Sequence, residues 1–296
     1  MVYVIGHKKP DTDSVCASIV YARHKKAVPA VASPINKETA FVLARFKVDT
    51  PKLIGSASGE QLILVDHNEW TQAVDGAQNA EIVEVIDHHR IGGITTPKPI
   101  FFHVEPVGST STIISRIVDV TSADAPLLLA GILSDTMAFK SPTTTDDDRK
   151  AAENLAAASG IDMASFAKEL FKAKSDISGM SAEQLLDNDA KEYDMGGKKV
   201  LVGQIELADL TSARSMKKEF LSIMKARVKM GYHTILLALT DVIAEGSEIL
   251  VASESPELVE KAFGQKLMMD SFYAKGILSR KKQLIPVLEG VLGKAA

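Results

Sequence analysis

Short apolar runs recur along the first part of the chain, and polar residues follow each run immediately. The clearest runs cover residues 2–5, 61–65, 82–86 and 126–133. A short, nearly continuous apolar run is typical of a strand that is buried on both faces, as in a parallel sheet. The run at 126–133 fits either a strand or a helix, because neither its length nor its pattern separates the two.

Segments with helical periodicity lie between these runs and after them. In the first part of the chain they cover residues 14–26, 37–46, 149–158 and 163–173. Asp13 or Ser14 can cap the first of these helices, because short polar side chains accept hydrogen bonds from free backbone amides. The acidic triplet at 146–148 fits the start of a helix, where negative charge complements the helix dipole.

The pattern changes beyond residue 198. Strands are predicted at 200–205, 234–239 and 248–252, and helices at 215–230 and 256–263. Strands that alternate with helices on both sides of a polar connection predict an α/β protein with two domains. We expect a first domain with a mostly parallel sheet flanked by helices at 1–178, a linker at 179–189, and a smaller α/β domain at 190–296.

Composition and charge narrow the class of protein. The chain has 296 residues, which favours two domains over one. The net charge of -4 argues against a general nucleic-acid binder. The single cysteine excludes an intrachain disulfide framework and fits a reducing cytoplasm. Because the apolar stretches are too short to span a bilayer, we expect a cytoplasmic protein whose partners include neither nucleic acid nor a membrane.

Acidic and histidine side chains follow the apolar runs where each run ends. They are His7, Asp11 and Asp13 after the first run, Asp66 after the second, Asp87, His88 and His89 after the third, and Asp135 after the fourth. The first group can equally be an ordinary polar turn, because Pro10 and aspartate are common turn residues. Loops at the carboxyl ends of parallel strands share one edge of a sheet, so we expect the four groups to converge there.

Such a convergence of carboxylates requires cations. Two carboxylates roughly 4 Å apart repel each other by about 4 kcal/mol at an effective dielectric constant near 20. Two divalent ions would cancel the charge of four carboxylates, whereas one would not. Aspartate and histidine ligands without sulfur favour Mn²⁺, Co²⁺ or Mg²⁺ over a structural zinc site. A pair of such ions is the usual arrangement for phosphoryl chemistry.

Four motifs resemble those of the DHH phosphoesterase superfamily. They are H-x-x-P-D-x-D from His7 to Asp13, D-H-N from Asp66, D-H-H from Asp87, and S-D-T around Asp135. All four occur in order, each after an apolar run, which makes the resemblance specific. The S-R-K-K-Q segment at 279–283, together with Lys191, resembles the DHHA2 domain of the family II (manganese-dependent) inorganic pyrophosphatases. The resemblance covers essentially the whole chain.

The resemblance implies hydrolysis of pyrophosphate at a two-metal active site in the cleft between the domains. It implies that one Mn²⁺ is held by His7, Asp11 and Asp66, and a second by Asp13, Asp66, His88 and Asp135. A hydroxide that bridges the ions would be the nucleophile. The residues that it implies for substrate binding and catalysis are His89, Lys191, Arg280 and Lys281.

Further expectations follow from the same resemblance. Co²⁺ or Mg²⁺ would substitute for Mn²⁺, Mg²⁺ would accompany the substrate, and the chain would form a homodimer through its N-terminal domain. A short-chain exopolyphosphatase or another DHH phosphoesterase would share the metal site, and an inactive scaffold that senses phosphate or binds a partner would keep the fold. Arg280 and the two lysines after it can also form a solvated basic surface. The roles of His67 and Asp87 stay open, although His67 fits a supporting role better than a ligand.

Overall fold

The computed structural model describes residues 1–293 and divides the chain into two compact units, with the boundary between Lys174 and Ser175. Each unit has a sheet of its own. Among residues 1–293, no helix is long and apolar enough to cross a membrane. The domain limits and the linker at 179–189 that the sequence suggests stay a prediction.

The first unit contains the parallel sheet that the apolar runs predict. Its strands are β1 (Val2–Ile5), β2 (Val28–Val31), β3 (Lys52–Leu53), β4 (Gln61–Val65), β5 (Glu81–Asp87) and β6 (Phe101–Val104). They lie in the order β3-β2-β1-β4-β5-β6, and all neighbouring strands run parallel. The carboxyl ends of β1, β4 and β5 therefore lie side by side at one edge of the sheet.

Six helices accompany this sheet. They are α1 (Thr12–Lys25), α2 (Lys37–Arg45), α3 (Thr110–Ile117), α4 (Ala125–Asp135), α5 (Asp146–Ser159) and α6 (Met163–Lys174). The first two connect β1 to β2 and β2 to β3, and the other four follow β6. Their apolar side chains pack with Val4, Ile63 and Ile86 on one face of the sheet. The other face, with Tyr3 and Leu62, is covered largely by side chains from the loops around β3 and β4.

The run at 126–133, which the sequence left open between strand and helix, is helical. Residues 125–134 of α4 are all buried, and α4 packs against α1, α3 and α5. A helix that is buried on every side shows no amphipathic period, so the sequence pattern could not identify it. Asp135 is therefore the last residue of a helix rather than a residue that follows a strand.

Two other details of the first unit differ from the sequence prediction. The N-cap of α1 is Asp11, whose side chain accepts a hydrogen bond from the Ser14 backbone amide, rather than Asp13 or Ser14. The short strands β2 and β3 were not predicted, because β2 contains Pro29 and β3 has only two residues. The acidic triplet does start α5, where Thr145 and Asp148 form a capping box.

The second unit has a mixed sheet. Its elements are α7 (Ala182–Asn188), β7 (Ala190–Met195), β8 (Lys198–Leu207), α8 (Thr211–Ser215), α9 (Lys217–Lys229), β9 (Thr234–Asp241), β10 (Gly246–Ser253), α10 (Pro256–Phe263), β11 (Ser271–Lys275) and α11 (Ile285–Leu292). The strand order is β11-β10-β9-β8-β7, with only the β8–β9 pair parallel among the described strands. The α/β class that the sequence predicts for this unit is confirmed.

Three features of the second unit were not predicted. The helix expected at 215–230 is α9, and the short helix α8 that precedes it, Thr211–Ser215, was not expected. The edge strands β7 and β11 alternate polar and apolar residues too weakly to be recognised from one sequence. The basic segment is a π-helical turn, Arg280–Leu284, that leads directly into α11.

Candidate metal centre

The carboxylates and histidines that follow the apolar runs come together at the carboxyl edge of the first sheet. Their ligand atoms form three overlapping groups, and within each group all the atoms lie within 4.8 Å of one another. The groups are His7, Asp11 and Asp66; Asp13, Asp66, His88 and Asp135; and Asp66, His88 and His89. Asp66 belongs to all three groups, so the other residues are arranged around it.

The two oxygens of Asp66 face two different histidines. Its Oδ2 lies 3.5 Å from Nε2 of His7, which is also 3.2 Å from Oδ2 of Asp11. Its Oδ1 lies 3.3 Å from Nε2 of His88, which is 3.6 Å from Oδ2 of Asp135. Two adjacent positions for cations therefore share one carboxylate.

Two buried atoms in this cluster have unused bonding capacity. Among the described residues, Oδ2 of Asp66 and Nε2 of His88 have no hydrogen-bond partner. The Nδ1 atom of His88 lies 2.9 Å from the carbonyl oxygen of Val107, so Nδ1 carries a hydrogen and the neutral ring would present the lone pair of Nε2 to a metal ion. Buried polar atoms rarely lack partners, and a divalent cation at each of the two positions would satisfy these atoms. The residues present thus fit an oxygen- and nitrogen-ligated metal ion.

Crowded charge shifts the proton affinities of these groups. Burial alone would lower the pKa of His7, but Asp11 and Asp66 raise it to about 10. Burial and the charge of Asp66 raise the pKa of Asp13 to about 7. Burial and the charge of Asp13 likewise raise the pKa of Asp135 well above its usual range. Without cations the cluster reduces its repulsion by holding protons, which bound metal ions would displace.

The first turn of α3 holds Asp13 in place. Oδ1 of Asp13 accepts hydrogen bonds from the Ser109 hydroxyl at 2.7 Å, from the Ser111 amide at 3.0 Å and from the Ser111 hydroxyl. Oδ2 accepts one from the Thr110 amide at 2.7 Å and keeps capacity for a further partner. A helix N-terminus favours a carboxylate because its amides are free and its dipole is positive there.

The contacts of these donors with Asp13 are the feature that the sequence interpretation missed. From the sequence, the hydroxyl-rich segment at 109–111 fits either phosphate donors at a helix N-terminus or a helix cap, with the cap favoured, and Ser109 does cap α3. Its other contacts reach Asp13 from almost a hundred residues away in the sequence, and the Thr110 hydroxyl also donates to Asp66 at 2.9 Å. The run of hydroxyl residues is visible in the sequence, but only the fold shows that these residues donate hydrogen bonds to Asp13.

Close backbone approach and positive φ angles also occur at this edge. A Cβ atom on Gly131 would lie 2.3 Å from the Ser111 hydroxyl and 2.6 Å from Oδ1 of Asp13, so only glycine lets α4 approach so closely. Asp66 itself has a φ of 62°, a left-handed conformation that is uncommon for residues other than glycine. The surrounding contacts therefore hold the shared carboxylate in a strained conformation.

Asp87 orients the two histidines that follow it. Its fully buried Oδ1 accepts hydrogen bonds from the amides of His88 at 2.8 Å and His89 at 3.1 Å, and it contacts Nδ1 of His89 at 2.8 Å. Asn68 donates to its other oxygen. His67 lies outside the three groups, with its Nδ1 2.9 Å from the Val65 carbonyl. Asp87 thus fixes the imidazole of His89, whose pKa it raises through this hydrogen bond.

The predicted phosphate-binding residues of the second unit lie at the β7–β8 edge. Lys191 on β7 pairs with Val202, whose carbonyl accepts a hydrogen bond from Arg280 at 3.5 Å. Arg280 is largely buried, and its Nη2 donates to Oδ1 of Asp189 at 2.9 Å. Lys281 is exposed. The structure thus brings Lys191 and Arg280 near each other, with Arg280 already bound to a carboxylate.

Amide side chains fix the turn that carries the basic residues. Oε1 of Gln283 accepts hydrogen bonds from the amides of Leu278 at 2.8 Å and Ser279 at 2.9 Å. Oε1 of Gln204 accepts one from the Arg280 amide at 3.0 Å. These contacts explain why the segment contains serine and glutamine beside its cations, and they make the turn a rigid support for Lys281 rather than a loose basic loop.

The hydrogen bonds to Asp13 generate a testable prediction. Ser111→Ala removes one donor from Oδ1 of Asp13, and we expect about 10-fold weaker binding of Mn²⁺ because groups that orient a ligand typically contribute that much. Titration calorimetry on metal-free protein measures it. Ser115→Ala is the matched control, because the Ser115 hydroxyl bonds only within α3, to the Thr112 carbonyl at 2.7 Å. Equal Mn²⁺ affinities in the two variants would contradict the assignment.

Known proteins match both units of this chain. Residues 1–138 match the N-terminal domain of the DHH family, and residues 168–291 match the DHHA2 domain. The chain is 47% identical to a manganese-dependent inorganic pyrophosphatase of Methanothrix thermoacetophila over 99% of both chains, and 41% identical to one of Methanocaldococcus jannaschii over 98% of both. A crystal structure assigned to the family II inorganic pyrophosphatases, from Methanococcus jannaschii, matches 99% of this chain and 100% of its own at a TM-score of 0.65 and 40% identity. The chain therefore belongs to the family of manganese-dependent inorganic pyrophosphatases.

Proposed function

We propose that this protein hydrolyses inorganic pyrophosphate to two phosphates with Mn²⁺ as its cofactor. The observation that carries the proposal is the arrangement around Asp66, whose two oxygens face His7 at 3.5 Å and His88 at 3.3 Å. A carboxylate in this position can join two cations about 3.5–4 Å apart, which is the spacing used in phosphoryl transfer. The relatives that match the chain over nearly its whole length carry the name of this activity.

Two metal ions per subunit account for the composition of the cluster. We assign one ion to His7, Asp11 and Asp66, and the other to Asp13, Asp66, His88 and Asp135, which agrees with two of the three groups of adjacent ligand atoms. Held by these residues, such ions would supply Lewis-acid polarisation of phosphoryl oxygens and activation of a water for attack. Co²⁺ and Mg²⁺ are expected substitutes, because they accept the same oxygen and nitrogen ligands.

His89 is proposed to bind the substrate rather than a metal ion. Its Nδ1 is occupied by Asp87 at 2.8 Å, and its side chain is 47% exposed. The hydrogen bond from Asp87 raises the pKa of His89, so the imidazole favours the protonated form, in which Nε2 is a donor. A cationic donor held in a fixed orientation can stabilise charge that develops on a phosphate oxygen.

Lys191, Arg280 and Lys281 are proposed to bind the phosphate oxygens. Pyrophosphate carries about three to four negative charges, so metal ions alone leave part of its charge unbalanced. Arginine supplies a planar fork for two oxygens, and lysine supplies a compact charge. Arg280 now donates to Asp189, and a phosphate would take over that carboxylate's position as an anionic partner. Mg²⁺ bound to the substrate would neutralise further charge.

A hydrolysis assay tests the proposed function directly. Purified protein loaded with Mn²⁺ should release two phosphates from each pyrophosphate, and removal of the metal with a chelator should abolish the reaction. Asp66→Asn should lower kcat/KM by at least about 1,000-fold, because it removes the carboxylate that we assign to both ions. Turnover of a nitrophenyl nucleotide ester without turnover of pyrophosphate would contradict the proposal.

A short-chain exopolyphosphatase is the second candidate, because the metal site would be the same. Product analysis with tripolyphosphate separates the two activities. A pyrophosphatase should turn over tripolyphosphate much more slowly than pyrophosphate, whereas an exopolyphosphatase would show the reverse preference. An inactive scaffold is less well supported, since every assigned ligand position holds aspartate or histidine.

We propose that the first unit binds the metal ions and the second binds phosphate, and Lys281 allows a test of these separate roles. Lys281→Ala should lower kcat/KM for pyrophosphate by about 10- to 100-fold, since a hydrogen bond to a charged group contributes about 1.5–3 kcal/mol. Lys282→Ala changes the next exposed lysine and serves as the control. Metal analysis should give the same Mn²⁺ content in both variants as in the wild-type protein. Loss of Mn²⁺ from the Lys281 variant would contradict the assignment.

We also propose that the protein is a homodimer through its N-terminal domain. Strand β6 lies at one end of the first sheet, and Phe101 and Phe102 on it are 48% and 39% exposed. An apolar edge strand is a surface that proteins normally cover. Phe102→Lys should shift the molar mass measured by light scattering from dimer to monomer, and Leu53→Lys on the opposite edge strand β3 should not. A monomeric wild-type protein, or a dimeric Phe102 variant, would contradict this proposal.

The cytoplasmic location inferred from the single cysteine stays a prediction.

A further inference from the structure

Glu38 is a buried carboxylate that the proposed reaction does not use. It lies in the first turn of α2 and is 1% exposed. Its Oε2 accepts hydrogen bonds from the hydroxyls of Thr12 and Ser134, both at 2.9 Å. Its Oε1 is buried without a hydrogen-bond partner among residues 1–293. Removing a carboxylate from water is costly, so its presence here requires a compensating role.

Both donors to Glu38 are direct neighbours of assigned metal ligands. Thr12 lies between Asp11 and Asp13 at the start of α1. Ser134 precedes Asp135 at the end of α4. A single carboxylate oxygen therefore joins two segments that are far apart in the sequence and that contribute ligands to one group of adjacent atoms.

Glu38 is itself held firmly, so it can fix the position of its partners. Asn36 caps α2 by accepting a hydrogen bond from the Thr39 amide at 2.8 Å. The Thr39 hydroxyl lies 3.1 Å from the Thr12 hydroxyl and adds a second contact between α2 and α1. Lys174, at the end of α6, places its ammonium group 3.9 Å from Oε2 of Glu38. The carboxylate thus has a defined position and a nearby countercharge.

We infer that Glu38 is a positioning residue for the metal centre. By accepting from Thr12 and Ser134 at the same oxygen, it fixes the separation of the segments that carry Asp13 and Asp135, so that both carboxylates are placed for one cation. This inference rests on the proposed function, because it takes the assigned ligands as given. It concerns metal affinity, which is measured without any substrate.

The chain offers a matched control for this role. Asp124 joins the same two helices at their other ends: it lies directly before α4, and its Oδ1 accepts a hydrogen bond from Arg23 of α1 at 2.6 Å. Asp124 also accepts from the Thr121 hydroxyl at 2.6 Å and is 6% exposed. Loss of either carboxylate removes a buried link between α1 and α4, but only Glu38 contacts neighbours of the ligands.

The experiment compares Mn²⁺ binding by calorimetry with thermal stability in the metal-free protein. Glu38→Leu should weaken Mn²⁺ binding by about 10-fold or more, the range typical of groups that orient ligands. Glu38→Gln should keep most of the wild-type affinity for Mn²⁺, because the carbonyl oxygen of glutamine can accept hydrogen bonds from both hydroxyls. Asp124→Asn should lower the melting temperature and leave the Mn²⁺ affinity unchanged.

Variants of the two donors keep the inference testable if Glu38→Leu does not fold. Thr12→Val and Ser134→Ala each remove one hydroxyl and leave the carboxylate in place. Each of these variants should bind Mn²⁺ more weakly, whereas the Asp124 variant should not. The effects of the two changes should not be additive, because both act through one oxygen. The double variant, measured in the same way, provides this comparison.

The possible outcomes separate the inference from the proposed function. The inference would be overturned if Glu38→Leu, or both donor variants, had lower melting temperatures but bound Mn²⁺ with unchanged affinity. Glu38 would then only stabilise the packing of α1 and α4. A wild-type protein that binds Mn²⁺ but does not hydrolyse pyrophosphate would contradict the proposed function alone. A wild-type protein that does not bind Mn²⁺ would overturn both the proposed function and the role of Glu38.

Discussion

Repulsion among buried carboxylates is the constraint on which the first unit depends. Asp13 and Asp66 are buried within one group of ligand atoms, with Asp135 beside them and Asp11 in the adjoining group. At an effective dielectric constant near 20, each close pair costs about 4 kcal/mol, which approaches the net stability of a small domain when several pairs are summed. Such a cluster persists only if protons or cations balance it. Burial and the charge of Asp66 raise the pKa of Asp13, which favours the first of these solutions, and the oxygen and nitrogen donors of the cluster suit the second.

Most of the polar contacts around the cluster hold a carboxylate or imidazole in one orientation. The first turn of α3 donates to Asp13, Asp87 fixes His89, and Val107 fixes the tautomer of His88. A metal ion requires its ligands to lie in place before it binds, because reorganisation would reduce the affinity. The buried hydroxyl groups are therefore better understood as supports for the ligands than as ligands or substrate contacts themselves.

Sequence reasoning identified the side chains that converge at the sheet edge, because each follows an apolar run. The strand at 61–65 has the predicted bounds, and Asp66 follows it directly. The same reasoning failed where packing rather than pattern decides the outcome. The complete burial of α4 removes its helical period, so its type stayed open. Arg280 was identified as a cation, but its pairing with Asp189 depends on how β7 and the π-helical turn pack, which no local pattern encodes.

By itself, the sequence determined the chemistry of this protein: which side chains are available, in which order, and after which strands. Three of the four motifs lie at the carboxyl ends of strands, which a parallel sheet brings to one edge whatever the loops between them, whereas Asp135 reaches the same edge at the end of a helix. Only the tertiary structure decided which groups support those side chains. Ser109, Ser111 and Glu38 lie far from their partners in the sequence, and a hydrogen bond between distant residues exists only once the core has brought them together. The first fourteen residues thus contribute to two groups of candidate ligands, but the fold places Asp11 beside His7 and Asp13 against the turn of α3.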